Sequence, residues 1–129
     1  MMNSGAAIKV LFWFAGLYDA ALGLVFLLAP AGVFAWFGVV PPNHYGYVRF
    51  PAALLVIFGL MFFAVALDPV RNRNLIPFGI MLKLAYCGVV FGYWVASGLP
   101  TLWKPFAVFD AVFALLFLQA WRMLEEGAA

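Results

Sequence analysis

The chain has 129 residues, of which 68% are hydrophobic and 9% are charged, and its mean hydropathy is +1.09. Soluble domains contain roughly 45 to 50% apolar residues, so this composition excludes an ordinary water-soluble fold and predicts a protein surrounded by membrane lipid. The formal net charge of +2 comes from few ionic groups with no basic run, so we expect no nucleic-acid partner.

Prolines and polar residues divide the chain into apolar stretches that are long enough to cross a membrane. A helix needs about 20 apolar residues to span the hydrocarbon core. The predicted spans cover residues 8–29, 47–67, 77–97 and 105–124, within a single transmembrane domain of residues 1–129. Because the connections are short, sequential helices should be antiparallel neighbours. We therefore predict an all-α fold, an antiparallel four-helix transmembrane bundle.

The segment between the first two spans is a distinct feature. Residues 31–40 are apolar, but they are too few to span and they precede Pro41 and Pro42. We predict a short interfacial segment after the first helix, with Trp36 near the lipid headgroups. A re-entrant segment that dips into the bilayer is the alternative.

Basic residues near the span ends are divided unequally between the two sides of the predicted bundle. The side that holds both termini carries Lys9, Arg71, Arg73 and Arg122, and the other side carries Arg49 and Lys104. Cytoplasmic connections are enriched in Lys and Arg. We therefore predict a multi-pass protein of the bacterial inner (cytoplasmic) membrane with both termini in the cytoplasm.

The predicted spans contain or adjoin ionisable residues, namely Asp19, Arg49, Lys83 and Asp110. A charge at the centre of a membrane helix costs about 2.5 to 3.5 kcal/mol, so these side chains should face the interior and find partners. The helical rise per residue gives a rough depth for each charge. Measured from the side of the membrane that holds the termini, the predicted depth increases in the order Lys83, Asp19, Asp110 and Arg49.

Two interpretations of these charges remain open. In the structural one, Asp19 pairs with Lys83 and Asp110 pairs with Arg49, and the pairs set the register of the helices. In the functional one, Asp19 or Asp110 takes up protons or binds a small polar group inside the bundle. An Asp19→Asn variant would separate them, because it would impair either assembly or an activity.

Further candidates lie close to these charges along the chain. Tyr18, Tyr86 and Cys87 are candidates to line a ligand site, since Tyr86 and Cys87 share a helix face with Lys83. A separate stripe predicts helix packing because its small side chains let two backbones approach closely. The stripe consists of Gly88, Gly92 and Ala96.

The sequence contains no pattern that predicts catalysis or metal binding by this chain alone. His44, the only histidine, has no Cys, Asp or Glu near it at the spacing of metal ligands. No paired nucleophile and base and no glycine-rich phosphate loop is present. We expect no catalytic residue, no metal site and no cofactor.

In size, number of spans and acidic residues within the spans, here Asp19 and Asp110, the chain resembles the small bacterial four-span membrane proteins of the DoxX-like group. Some members of that group are subunits of membrane oxidoreductases that act on quinones. The resemblance implies an accessory membrane subunit, and it assigns no functional residue.

Small multidrug exporters are similar in size and carry an acidic residue in the first helix. The segment 31–40, Lys83 and Asp110 depart from their pattern.

These observations lead to a first hypothesis and to alternatives. The first is a non-enzymatic accessory or assembly subunit of a membrane complex, which packs against itself as a homo-oligomer or against other membrane subunits. The second is a carrier or receptor that binds a small hydrophobic molecule, a lipid, quinone or amine, between the helices, with Asp19 as the proton or polar-group site. The third is an enzyme subunit whose chemistry comes from a partner.

Overall fold

The computed structural model describes residues 4–128, and it describes side chains for residues 4–125. Its α-helices, in chain order, are α1 Ser4–Leu28, α2 Pro30–Phe37, α3 Gly46–Leu67, α4 Ile76–Ala96 and α5 Lys104–Ala128. Single turns of 3₁₀ helix, Arg73–Leu75 and Thr101–Trp103, lead into α4 and α5. No strand occurs between residues 4 and 128, so the predicted all-α class is confirmed.

The long helices begin and end close to the predicted positions, and the differences have local causes. α1 begins at Ser4 instead of residue 8, and α5 continues to Ala128 instead of residue 124. The prediction placed the helix ends at the limits of the apolar stretches. The backbone hydrogen bonds of a helix continue into the residues on either side of such a stretch. Pro30 follows the end of α1 and opens α2, because proline lacks a backbone N–H and fits a first helical turn.

Most of the segment predicted as interfacial forms the short helix α2. At eight residues it is too short to cross a membrane, and it ends at Gly38, whose φ of 63° is left-handed. Phe34 of α2 is buried in an apolar cluster with Phe26 and Leu102. Trp36 lies on the outside of the same helix and is exposed. α2 therefore covers the end of the bundle that lies away from the chain termini.

The outer surface is far more apolar than that of a soluble bundle. Large apolar side chains are exposed along every long helix, among them Phe14, Leu17, Phe50, Ile57, Leu84, Val89, Val112 and Leu115. The interior holds Asp19, Lys83 and Asp110 together with apolar side chains such as Phe12 and Phe62. Within residues 4–128, four helices are long and apolar enough to cross a membrane, namely α1, α3, α4 and α5. The chain thus has the build of a multi-pass membrane protein.

Close backbone contact holds α1 against α3. A Cβ atom at Gly59 of α3 would lie 2.8 Å from the backbone nitrogen of Ala20 and 2.9 Å from the carbonyl oxygen of Gly16. A Cβ at Gly23 would lie 2.6 Å from the carbonyl oxygen of Ala52. Glycine is therefore required where these two helices cross, as is common where lipid supplies no hydrophobic drive for packing. α4 packs along α5, and α3 and α4 contact each other only sparingly.

The interior differs between the two ends of the bundle. Towards the chain termini, an aromatic stack fills the centre, with ring centroids of Phe12 and Phe117 4.8 Å apart and those of Phe62 and Phe117 5.0 Å apart. These three side chains are fully buried. Towards α2, the helices leave an open cavity between them. The charged residues lie between the aromatic stack and this cavity.

Candidate functional site

The charged side chains inside the bundle meet in one cluster. Lys83 of α4 donates to Oδ1 of Asp19 on α1 at 2.7 Å and to Oδ1 of Asp110 on α5 at 3.1 Å. Asp19, Lys83 and Asp110 are 1%, 0% and 7% exposed, respectively. One ammonium group therefore links three helices by charge-assisted hydrogen bonds in the interior of the bundle.

Aromatic rings surround the ammonium group on its remaining sides. Lys83 Nζ lies 5.2 Å from the ring centroid of Tyr18, 5.1 Å from that of Phe113 and 5.8 Å from that of Phe62. The negative faces of such rings attract a cation at this range. Phe62 also belongs to the aromatic stack at the termini end, so the stack borders the cluster on that side.

The cluster is not balanced in charge. Two carboxylates and one ammonium group leave a formal charge of −1, and no other basic side chain in residues 4–125 forms an ion pair with either acid. Oδ2 of Asp19 and the hydroxyl of Tyr18 are buried and accept or donate no hydrogen bond within the described part of the chain. Buried polar atoms without partners are uncommon in native proteins. The cluster thus has capacity for a further positively charged or hydrogen-bonding group.

Arg49 is not a member of this cluster, and the expected pair between Arg49 and Asp110 does not form. Arg49 is exposed, and its Nε donates instead to the carbonyl oxygen of Leu27 at 3.2 Å. Lys83 contacts both acids, although a count of helical rise places the three residues at different depths. The four-carbon stem of lysine spans the offset that a count of helical rise assigns to the Cα atoms.

The cavity lies directly against the two acids and has a volume of about 480 Å³. This is within the range of roughly 300 to 1,000 Å³ that is typical of ligand pockets. Asp19 and Asp110 line it, and Lys83 does not. The apolar part of the lining includes Leu22, Phe26, Leu55, Trp103 and Phe106. The cavity is therefore an apolar chamber with carboxylates at its inner end.

The cavity is open to the exterior along α3. Tyr47 and Leu54 line it, and both are exposed on the outside of the bundle. Phe50, on the same helix between Tyr47 and Leu54, is exposed as well. A molecule dissolved in lipid could reach the carboxylates through this opening, whereas the aromatic stack blocks the route towards the termini.

The three predicted ligand-lining residues have different positions. Tyr86 lines the cavity, and its hydroxyl donates to the carbonyl oxygen of Trp103 at 2.9 Å. Cys87 is buried, and its thiol donates to the carbonyl oxygen of Ala107 at 3.3 Å, which ties α4 to α5. Tyr18 lies against Lys83 and Phe113 and does not line this cavity.

Several lining residues were not predicted from the sequence, although their spacing contains a signal. Leu22 and Phe26 follow Asp19 by three and seven positions, and Phe106 precedes Asp110 by four. Positions at these spacings share one helix face. Trp103 gives no comparable signal, because it lies in the turn before α5 and resembles an interface anchor.

The predicted packing stripe of Gly88, Gly92 and Ala96 faces outward. All three residues are exposed, and a Cβ at Gly88 or Gly92 would have no heavy atom of the described residues within 4 Å. α4 instead turns Gly79, Lys83 and other residues towards the bundle. Among residues 4–125 the stripe packs against no helix, and its packing against another chain stays a prediction.

The arrangement can bind a molecule by its polar end. In residues 4–125, no group of three or more His, Cys, Asp or Glu side chains is placed to hold a metal ion. The carboxylates offer hydrogen-bond acceptors and negative charge at the inner end of an apolar space.

Comparisons with protein-family models, with curated proteins and with solved structures find no match to this chain.

Proposed function

We propose that the protein is a non-enzymatic membrane carrier or receptor that binds a small hydrophobic molecule between its helices. The observation that carries this proposal is the open, mostly apolar cavity with Asp19 and Asp110 at its inner end. Ligand sites typically combine an apolar lining with a small number of polar groups that orient the ligand. If this region served only to pack the helices together, side chains would fill it, as they fill the half of the bundle near the chain termini.

The position of the opening supports a ligand that arrives through the lipid. Exposed apolar side chains surround the opening, and α3 and α4 contact each other only sparingly. The stack of Phe12, Phe62 and Phe117 closes the opposite half. A cavity closed on the side of the termini favours binding over continuous conduction. Carriage across the membrane would require the aromatic stack to open.

A variant that fills the cavity tests this proposal. We expect Leu55→Trp to remove ligand that the unaltered protein retains after mild extraction, because the larger side chain occupies the space beside the carboxylates. Native mass spectrometry of the two proteins would detect the retained compound as an added mass. We expect at least about a tenfold loss of occupancy, in line with the cost of overfilling a packed site.

The matched control is Ile57→Trp, which adds a similar volume on the same helix but faces outward. It should leave the retained mass unchanged. Loss of ligand from both variants, or retention by both, would contradict binding in this cavity.

We further propose that the protein lies in the bacterial inner membrane with both termini in the cytoplasm. The support is the excess of Lys and Arg on the side of the termini. In this orientation the cavity lies in the outer half of the bilayer, below α2.

A second proposed role is that of an accessory or assembly subunit, as in the DoxX-like group that the sequence resembles. The specific observation in its favour is the last part of α4 with the two residues that follow it, since each of residues 91–98 is exposed. This part carries Gly92 and Ala96, whose small side chains would let another helix approach closely.

Substitutions that place bulky side chains on this face of α4 test the second role. We expect the double substitution Gly88→Leu with Gly92→Leu to convert an oligomer into monomers in mild detergent, as measured by light scattering after size-exclusion chromatography. Bulky side chains at both positions would hold a neighbouring helix away. Val89→Leu, on an exposed neighbouring position, is the control and should leave the mass unchanged. Unaltered protein that is strictly monomeric, with no copurifying subunit, would contradict this role.

A further inference from the structure

We propose that the cavity selects an organic monocation, a mostly apolar molecule with one ammonium group, over a neutral quinone or an anionic lipid. The inference rests on the proposed function, because it names the chemical class of the molecule that the cavity binds. Three features of the charge cluster carry it, namely which groups reach the cavity, the charge they leave uncompensated and the hydrogen bonds they lack.

The first feature is the order of the charges as seen from the cavity. Asp19 and Asp110 line the cavity, whereas Lys83 does not. The hydrogen bonds from Lys83 go to Oδ1 of each acid. A molecule that enters therefore meets carboxylates and not the ammonium group. The inner end of the cavity attracts positive charge and repels negative charge.

The second feature is the formal charge of −1 that remains after Lys83 has paired with both acids. Charge is costly to hold in a membrane interior unless it is compensated. One bound monocation would make the group of Asp19, Lys83, Asp110 and ligand neutral. A neutral ligand would leave the imbalance in place, and an anion would increase it.

The third feature is that Asp19, Asp110 and Tyr86 offer no free hydrogen-bond donor to a ligand that only accepts hydrogen bonds. Ionised carboxylates accept and do not donate. The hydroxyl hydrogen of Tyr86 is already donated to the carbonyl oxygen of Trp103 at 2.9 Å. Oδ2 of Asp19 has no donor within residues 4–125. An ammonium group supplies donors to the carboxylates that line the cavity, whereas the carbonyls of a quinone do not.

The aromatic part of the lining also suits such a ligand. Phe26, Trp103 and Phe106 line the cavity beside the acids. Their rings can cover an apolar body, and ring faces attract a nearby cation. A ligand of this class would therefore place its ammonium group at Asp110 and its apolar body against these rings.

Three probes with the same carbon skeleton test the inference: phenylpropylammonium, phenylpropanol and phenylpropanoate, which carry positive, no and negative charge. Binding is measured by calorimetric titration of the unaltered protein in lipid nanodiscs, with empty nanodiscs as the reference for partition into lipid. We expect the cation to bind at least about tenfold more tightly than the alcohol, the advantage of a hydrogen bond to a charged group. The carboxylate should bind most weakly.

The variant Asp110→Asn removes the uncompensated charge and leaves Lys83 paired with Asp19. We expect it to abolish the preference for the cation while the alcohol binds within about twofold of its original affinity. Asp68→Asn, an exposed acid after the end of α3, is the control and should preserve the preference. The three-probe comparison on unaltered protein remains decisive if Asp110→Asn does not fold.

The outcomes separate this inference from the proposed function. Equal binding of the cation and the alcohol, both blocked by Leu55→Trp, would overturn the selection of a cation and leave ligand binding in the cavity intact. Tightest binding of the carboxylate would overturn it as well. If no probe binds and no retained compound depends on Leu55, both proposals fail.

Discussion

Replacing Lys83 by methionine should lower the free energy of unfolding by about 3 to 5 kcal/mol, the range found when one partner of a buried ion pair is removed. The substitution leaves Asp19 and Asp110 buried beside each other without the ammonium group that both contact. Methionine fills much of the lysine volume, so the loss reports charge and not an empty space. Unfolding titrations in mixed micelles, followed by far-ultraviolet circular dichroism and tryptophan fluorescence, measure the change.

The informative control is the triple variant Lys83→Met, Asp19→Asn and Asp110→Asn. It removes every charge of the cluster, and uncharged replacements of a buried ion cluster are often as stable as the original. We expect it to recover most of the stability that Lys83→Met alone loses. If Lys83→Met is as stable as the unaltered protein, the two acids do not depend on Lys83, and the cluster does not hold the helices together.

The result also separates structure from function. A triple variant that folds but no longer distinguishes the cationic probe from the neutral one would assign the charges to ligand binding. A triple variant that fails to fold would assign them to assembly, the structural interpretation of the sequence. The choice between these two interpretations of Asp19 thus becomes a measurement on one protein.

The second large effect is expected at the crossing of α1 and α3, where Gly59→Ala should lower the free energy of unfolding by about 1 to 3 kcal/mol, a typical cost of overfilling a packed interface. The added Cβ would lie 2.8 Å from the backbone nitrogen of Ala20 and 2.9 Å from the carbonyl oxygen of Gly16. These atoms belong to helical backbone and cannot rotate away. The two helices would have to separate.

Gly88→Ala is the matched control, because it makes the same chemical change on a long helix where no heavy atom of the described residues lies within 4 Å of the new Cβ. Alanine favours a helix over glycine by about 0.8 to 1.0 kcal/mol, so this variant should be as stable as the original or more so. The same unfolding titration measures both. Equal effects at Gly59 and Gly88 would contradict the close approach of α1 and α3.

The sequence alone determined the fold class and the spans, because these depend on local properties of the chain. Apolar stretches of membrane length and the prolines beside them set where helices begin and end, to within a few residues. The cost of intramembrane charge also required that Asp19, Lys83 and Asp110 lie inside the bundle. That expectation needs no knowledge of how the helices pack.

Only the tertiary structure decided which charges meet and which glycines pack. The sequence predicted two separate pairs, whereas Lys83 reaches both acids and Arg49 lies outside the cluster. It singled out Gly88 and Gly92 for packing, whereas Gly59 lies at the observed crossing. Contacts of this kind depend on the rotation, tilt and spacing of helices that are distant in the chain, and on the reach of a flexible side chain. A helical repeat records which residues share a face, but it does not record which neighbouring helix that face meets.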